Sequence, residues 1–159
     1  MKNTIITPIG KDLIEDSALL LAKTFRDNQG NRIILKGLTS EEREKNQLSL
    51  FKGLIKACQA SGTAEALIYN NCLKGVSLAY PPEKWPSSFL SWLYSAAGVI
   101  KTGPRFAARF ARFDNYMKGN HINTPHWYIS IIGIEPSCQG KALGSMLINP
   151  DTTVTLRHR

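Results

Sequence analysis

The stretch from His126 to Asn149, HWYISIIGIEPSCQGKALGSMLIN, constrains the fold more than any other part of the chain. Trp127 to Ile134 is apolar or β-branched at nearly every position, the pattern of a central strand covered on both faces rather than a half-exposed one. Pro136 ends it, because proline has no N–H to give to a ladder. Gln139 to Gly144 then places small residues at three of six positions, and Ser145 to Ile148 continues as a helix. A strand that runs through such a loop into a helix N-terminus aims several unpaired N–H groups at one point, with the positive end of the helix dipole behind them. Such a cradle suits a phosphate or pyrophosphate better than a carboxylate, since a row of donors plus the Lys141 ammonium matches an anion with many acceptor oxygens. The residues alone fit an ordinary strand-to-helix turn equally well. Two better-known phosphate loops are excluded, because neither G-x-x-x-x-G-K-[ST] nor G-x-G-x-x-G occurs.

The rest of the chain supplies partners for that strand. Asn3 to Ile9 reads as an opening β-strand closed by Gly10, and Asp12 is placed to cap a helix whose apolar positions, Leu13 to Phe25, recur at three- and four-residue steps. Asp27 to Asn31 breaks that helix, and Arg32 to Lys36 fits either a short strand or an extended connection. Thr39-Ser40-Glu41-Glu42 starts a second helix, running to about Ala60, with Leu48, Phe51, Leu54, Ile55 and Cys58 on one face. Ala64 to Tyr69 and Gly75 to Tyr80 form a hairpin around Asn70 to Lys74, and the prolines at 81, 82 and 86 stop the sheet. Phe89 to Tyr94 is helical in pattern. Phe106, Phe110 and Phe113 share one face of a further helix, the usual mark of a core stripe, with Arg105, Arg109 and Arg112 elsewhere on it. The order predicts an α/β layer arrangement in one domain.

Composition narrows the function classes. A chain of 159 residues with 43% apolar content buries one sizeable core. A net charge of +8 draws polyanions, which include nucleic acids and anionic membranes, yet the basic residues are spread and no nucleic-acid-binding motif is present. Three cysteines without C-x-x-C spacing suggest neither a disulfide framework nor a zinc site. The N-terminus lacks the apolar core of a signal peptide and no run of eighteen apolar residues occurs, so the expectation is a cytoplasmic protein with no membrane span, no resident metal and no specific nucleic-acid partner.

An apolar strand ending Gly133-Ile134-Glu135-Pro136, then Gln139-Gly140-Lys141-Ala142-Leu143-Gly144, resembles the acyl-CoA loop of the GNAT superfamily of N-acetyltransferases. The family pattern is Gln/Arg-x-x-Gly-x-Gly/Ala; Gln139 and Gly144 fit it, and Ala142 stands where its first glycine is expected. The segment Ala79-Tyr80-Pro81-Pro82-Glu83-Lys84-Trp85-Pro86 and His126-Trp127-Tyr128 narrow the likeness to a bacterial and fungal-type branch. The likeness runs from about Ile5 to Asn149 and implies a mixed, mostly antiparallel sheet flanked by helices. Residues 1–149 would be the N-acetyltransferase domain, and 150–159 an atypical tail. In the superfamily a further strand, a helix and a closing hairpin follow the loop, so the resemblance implies that these C-terminal elements are missing and leaves two expectations: a homodimer in which a partner chain supplies the second wall of the pantetheine cleft, or a degraded or frame-shifted product with an accidental tail.

The same resemblance implies acetyl-CoA as co-substrate and a small-molecule or peptide amine as acceptor. It puts Ile132, Gly133 and Ile134 beside the pantetheine through backbone hydrogen bonds, and Gln139, Gly140, Lys141, Ala142, Leu143, Gly144 and Ser145 around the pyrophosphate. Direct attack by the amine on the thioester needs proximity, a base and donors for the developing oxyanion. Glu135 is the nearest carboxylate and Tyr128 a substrate-side hydrogen-bonding group; the two are the catalytic candidates. His126 has the side chain that titrates in the useful range, and Cys138 reads as a small loop residue. A CoA-binding or self-associating chain without turnover is the alternative.

Overall fold

The computed structural model describes residues 4–82, 84, 103–122 and 124–148. The helix expected over Phe89 to Tyr94 and the tail from Pro150 lie outside them. Four strands pair antiparallel in the order β1 (Thr4–Pro8), β2 (Thr63–Tyr69), β3 (Cys72–Tyr80), β4 (Tyr128–Ile134). β2 and β3 are joined by the tight turn Asn70-Asn71. Both residues have positive φ, 51° and 61°, a conformation asparagine tolerates better than most. The turn is shorter than the five residues expected, so β3 begins at Cys72.

The helices form as their ends dictate. α1 (Ile14–Thr24) is entered through a single 3-10 turn at Lys11–Leu13, and Leu13 rather than Asp12 is its N-cap residue, because Asp12 is taken up inside that turn. α3 (Ser40–Ser61) opens on a complete capping box. The Thr39 N–H donates to Glu42 Oε2 at 2.8 Å and the Glu42 N–H to Thr39 Oγ1 at 3.3 Å, satisfying two of the donors a helix start leaves unpaired. At its far end Gly62 lets β3 pass close by; a β-carbon there would collide with the Ala79 carbonyl oxygen. Between them lies α2 (Gln29–Ile34), a helix where the sequence suggests a strand or extended connection. The Asn28 side chain accepts from the Gly30 N–H and caps it, and Ile34 and Leu35 are buried with Leu50 of α3 and Phe106. Tertiary packing overrides the local β-prone run.

Strand alternation sorts the core onto two faces. Ala64, Ala66, Val76, Leu78 and Tyr80 meet Leu21 of α1 and Phe51, Ile55 and Cys58 of α3. On the opposite face Ile6, Leu67, Ile132 and Ile134 meet Cys138, Leu143 and Leu147, the last two in α5 (Leu143–Ile148). α4 (Pro104–Gly119) carries the phenylalanine stripe. Phe106 is buried and lies stacked on Phe110 at 6.3 Å, whereas Phe113 is 42% exposed, so the stripe is core only at its N-terminal end.

β4 differs from expectation in one respect. It is not a central strand covered on both faces: among the described strands it ends the sheet, and Trp127 and Ile129 are exposed. Its apolar composition instead serves two half-buried faces and an uncovered edge. No helix among the described residues is long and apolar enough to cross a membrane, and no group of side chains among them could hold a metal ion.

Candidate functional site

Among the described residues the edge of β4 away from β3 is uncovered, and it forms one continuous surface with the loop that follows. The Glu135 N–H donates to the Lys74 carbonyl at 2.9 Å. Since inward and outward pairs alternate along an antiparallel ladder, Gly133 and Ile131, opposite Val76 and Leu78, face β3. Ile132 and Ile134 therefore turn their backbone groups to the open edge. The Ile134 carbonyl is met by Gln139 Nε2 at 3.2 Å and Thr24 Oγ1 at 3.4 Å. What remains on the edge is the Ile134 N–H and both groups of Ile132. The register slips between Leu78 and Ala79, which pair with Ile131 and Ile129, leaving Ser130 opposite no residue of β3. This β-bulge had no signal in the sequence; such bulges concentrate near working sites because they re-aim the backbone.

Gly133, which the resemblance puts beside the pantetheine through its backbone, turns its backbone to β3 and instead admits α1. A β-carbon on it would lie 2.7 Å from Leu21 Cδ2 and 3.5 Å from the Phe25 ring, so its missing side chain lets the helix pack directly on β4. That contact brings Lys23, in the last turn of α1, to Glu135, where its ammonium lies 2.9 Å from Oε1. Lys74 Nζ lies 3.8 Å from Oε2, and the Ser137 hydroxyl donates to the same oxygen. The Ser137 hydrogen bond and the Lys23 hydrogen bond, with smaller contributions from the charges of both lysines, hold the Glu135 carboxyl down at about 2 against the opposing effect of desolvation. Neither lysine was visible as a site residue from the sequence, since Lys23 is 112 residues away from its partner.

Past Glu135 the chain makes one 3-10 turn, Pro136–Cys138, with the Cys138 side chain buried against the sheet. Gly140 and Ala142 both take left-handed backbone, at φ 76° and 59°. Gly140 adopts it at no steric cost, whereas the Ala142 methyl costs energy there. Ala142 closes the loop by accepting the Met146 N–H at 3.3 Å. Lys141 Nζ donates to the Ser137 carbonyl at 3.1 Å, folding its ammonium back over the loop. α5 then lies close to the sheet because Gly75 has no side chain: a β-carbon there would meet Ile134 Cδ1 at 2.7 Å and Leu147 Cδ1 at 3.0 Å. Gln139, Gly140, Lys141 and Ser145 are exposed, while Leu143 is buried. The loop candidates thus divide into a solvent-facing set and one core anchor, with Lys23, Lys74 and Lys141 around them.

Tyr128 sits at the other end of β4, opposite Tyr80, half-buried, and far from Glu135. Burial first, and then the negative charge of Asp114 in α4, push its phenol pKa up, so it is a proton-bearing hydrogen-bond donor at neutral pH. The structure therefore does not bring the two catalytic candidates together. A concavity of about 690 Å³ between Lys11, Glu15, Lys52 and Lys56 lies on the helical side, away from β4.

No protein-family model matches the chain, and no curated protein matches it. Solved structures do. A structure described as histone acetyltransferase HPA2 and related acetyltransferase from Corynebacterium glutamicum superposes with a TM-score of 0.63 at 18% identity, over 98% of this chain and 72% of that one. An agmatine N-acetyltransferase superposes with a TM-score of 0.51 at 15% identity, over 97% of this chain and 69% of that one. The likeness to these acetyltransferase structures covers nearly the whole chain, and with its four-stranded antiparallel sheet flanked by helices the chain has the GNAT fold.

Proposed function

We propose that this protein is an N-acetyltransferase that moves an acetyl group from acetyl-CoA to a primary amine by direct attack. The observation that carries the reading is the edge of β4 left uncovered among the described residues, which runs past Glu135, paired with Lys23 and Lys74, into a loop that carries Lys141. A pantetheine arm contains two amides, and the outward groups of Ile132 and Ile134 are placed to pair with them as a neighbouring strand would. The exposed backbone from Gly140 to Ser145 and the lysine ammoniums suit the pyrophosphate. At the thioester the chain's contribution is proximity and the re-aimed backbone at Ser130, where an N–H can stabilise the oxyanion.

Within this reading Glu135 is a clamp rather than a base. A carboxylate whose pKa is held at about 2 by three partners has little affinity for a proton at neutral pH, and a general base works best with a pKa near the operating pH. It ties the end of α1 to the ends of β3 and β4 and so fixes the loop. The net charge of +8 opposes a dicationic acceptor, so agmatine, named for one structural neighbour, is not carried over.

The test is release of CoA thiol on mixing the protein with acetyl-CoA and a panel of primary amines. Turnover that falls in Lys141→Glu and Gly144→Trp supports the reading; turnover unchanged in both removes the loop from it. The open edge also favours a second reading, a CoA-binding chain that pairs β4 with β4 of a second copy and has no turnover. Light scattering that shows a dimer, together with acetyl-CoA binding and no thiol release with any amine, would select it.

A further inference from the structure

Amine attack on a thioester needs a proton acceptor beside the nitrogen, and the position of that acceptor follows from the length of the donor. The backbone of a pantetheine arm is about as long as four to five extended residues. Laid along β4 from the loop at Gln139, it brings its thioester level with the bulge at Ser130. Glu135 is about 16 Å away at the strand's rise of about 3.3 Å per residue, beside the phosphate end. Tyr128 is about 7 Å and His126 about 13 Å from the bulge in the other direction, and Tyr128 opens onto a cluster of rings.

Two of the chain's three histidines meet there. His121, from the turn after α4, packs against His126 with ring centroids 4.7 Å apart and planes tilted by 34°, and it meets Tyr128 edge-on at 4.8 Å and 88°. His126 Nδ1 lies 2.6 Å from the Thr124 carbonyl oxygen. A carbonyl only accepts, so Nδ1 carries the proton and the lone pair of the neutral ring is on Nε2. Among the described residues, the charged and titratable groups around the cluster include Asp114, which acts on Tyr128 and pairs with Lys118 one turn along α4, and Tyr80, opposite Tyr128 on β3.

We propose that His126, held by Thr124 and packed against His121, is the catalytic base, and that the acceptor amine docks at the start of β4 on the side of α4. This rests on the acyl-transfer reading above. The amine lone pair forms the bond to the thioester carbonyl carbon while one N–H proton passes through a bridging water to His126 Nε2. The C–S bond breaks with its electron pair on sulfur, and the thiolate takes the proton back from the imidazolium. The products are the N-acetyl amine and CoA thiol, and the ring returns neutral. His121 is a positioning residue that sets the plane of the His126 ring.

The experiment uses the full chain with acetyl-CoA and three probe amines, butylamine, phenethylamine and the N-terminus of an alanine tripeptide, and measures acetyl-CoA affinity by calorimetry on the same samples. The expected result for His126→Ala and His126→Gln is a fall in kcat/KM of about 10²-fold or more, with acetyl-CoA affinity unchanged. In both variants the rate should climb with pH through the range where the wild type is flat, and added imidazole should restore part of it in His126→Ala. His121→Ala should lose less and respond weakly to imidazole. Variants that bind acetyl-CoA and turn over the probes with the wild-type rate and pH profile overturn the proposal and leave the acyl-transfer reading standing. A wild-type chain that binds acetyl-CoA but acetylates none of the probes also overturns it, and one that does not bind acetyl-CoA overturns both.

Discussion

Gly133→Ala tests how α1 is seated on the strand that carries the site. The added methyl carbon would lie 2.7 Å from Leu21 Cδ2, whereas two carbons pack comfortably at about 3.5–4.0 Å, so the pair must separate by about 1 Å. Leu21 cannot yield easily, because it is fully buried between α3 and the sheet. Thr24 Cγ2 and the Phe25 ring also lie within 4 Å of the new atom, so sliding the helix transfers the strain to them. Overpacking of this kind costs about 1–3 kcal/mol, which in urea, with a slope of about 1–3 kcal/mol/M, lowers the unfolding midpoint by about 1 M. The control is Gly144→Ala. Its new methyl meets only Ile134 Cγ1 at an ordinary 3.7 Å, and within α5 it gains about 0.5–1 kcal/mol from reduced chain entropy. Urea titrations of both variants, with unchanged slopes, should move the midpoint in opposite directions. A Gly133→Ala midpoint at or above wild type would refute the direct seating of α1 on β4.

Other substitutions test the loop and its clamp. Ala142→Gly should raise stability by about 1 kcal/mol, since φ 59° penalises a methyl group and not a hydrogen; an unchanged urea midpoint would show that the loop is not held in that conformation. The Glu135 carboxyl is held below its unfolded pKa, so its contribution is full above about pH 4.5 and is lost as pH falls toward its folded value of about 2. Glu135→Gln should therefore be less stable than wild type at neutral pH and converge with it near pH 2; a constant difference across that window would contradict the ion-pair assignment. Burial pushes the Cys58 thiol up to about 12, and Cys72 is exposed. Alkylation of the native protein followed by mass should label Cys72 first and Cys58 only on unfolding, and early labelling of Cys58 would disprove its burial.

Features decided by neighbours in sequence were legible, and those decided by distant packing were not. The Thr39-x-x-Glu42 box announced α3 because both partners lie within one turn. α2 was hidden by Gly30 and the β-prone Ile33-Ile34-Leu35; its helix depends on burial against Phe106, more than seventy residues on. β4 read as a strand because its residues favour pleated backbone, but whether a strand is central or at an edge depends on what pairs with it, and Ile129 alone does not say. The loop after it was recognisable by composition. The Lys23–Glu135–Lys74 bridge and the packing of His121 against His126 come from elements that only the fold brings together.

The central claim is that the edge of β4 and the loop from Gln139 to Ser145 together hold an acyl-CoA, and calorimetric titration of the purified protein with acetyl-CoA tests it most directly. Saturable binding with one site per chain, weakened in Lys141→Glu and abolished in Gly144→Trp, is the predicted result. No saturable heat with acetyl-CoA, from a protein shown to be folded by its cooperative urea transition, would contradict it.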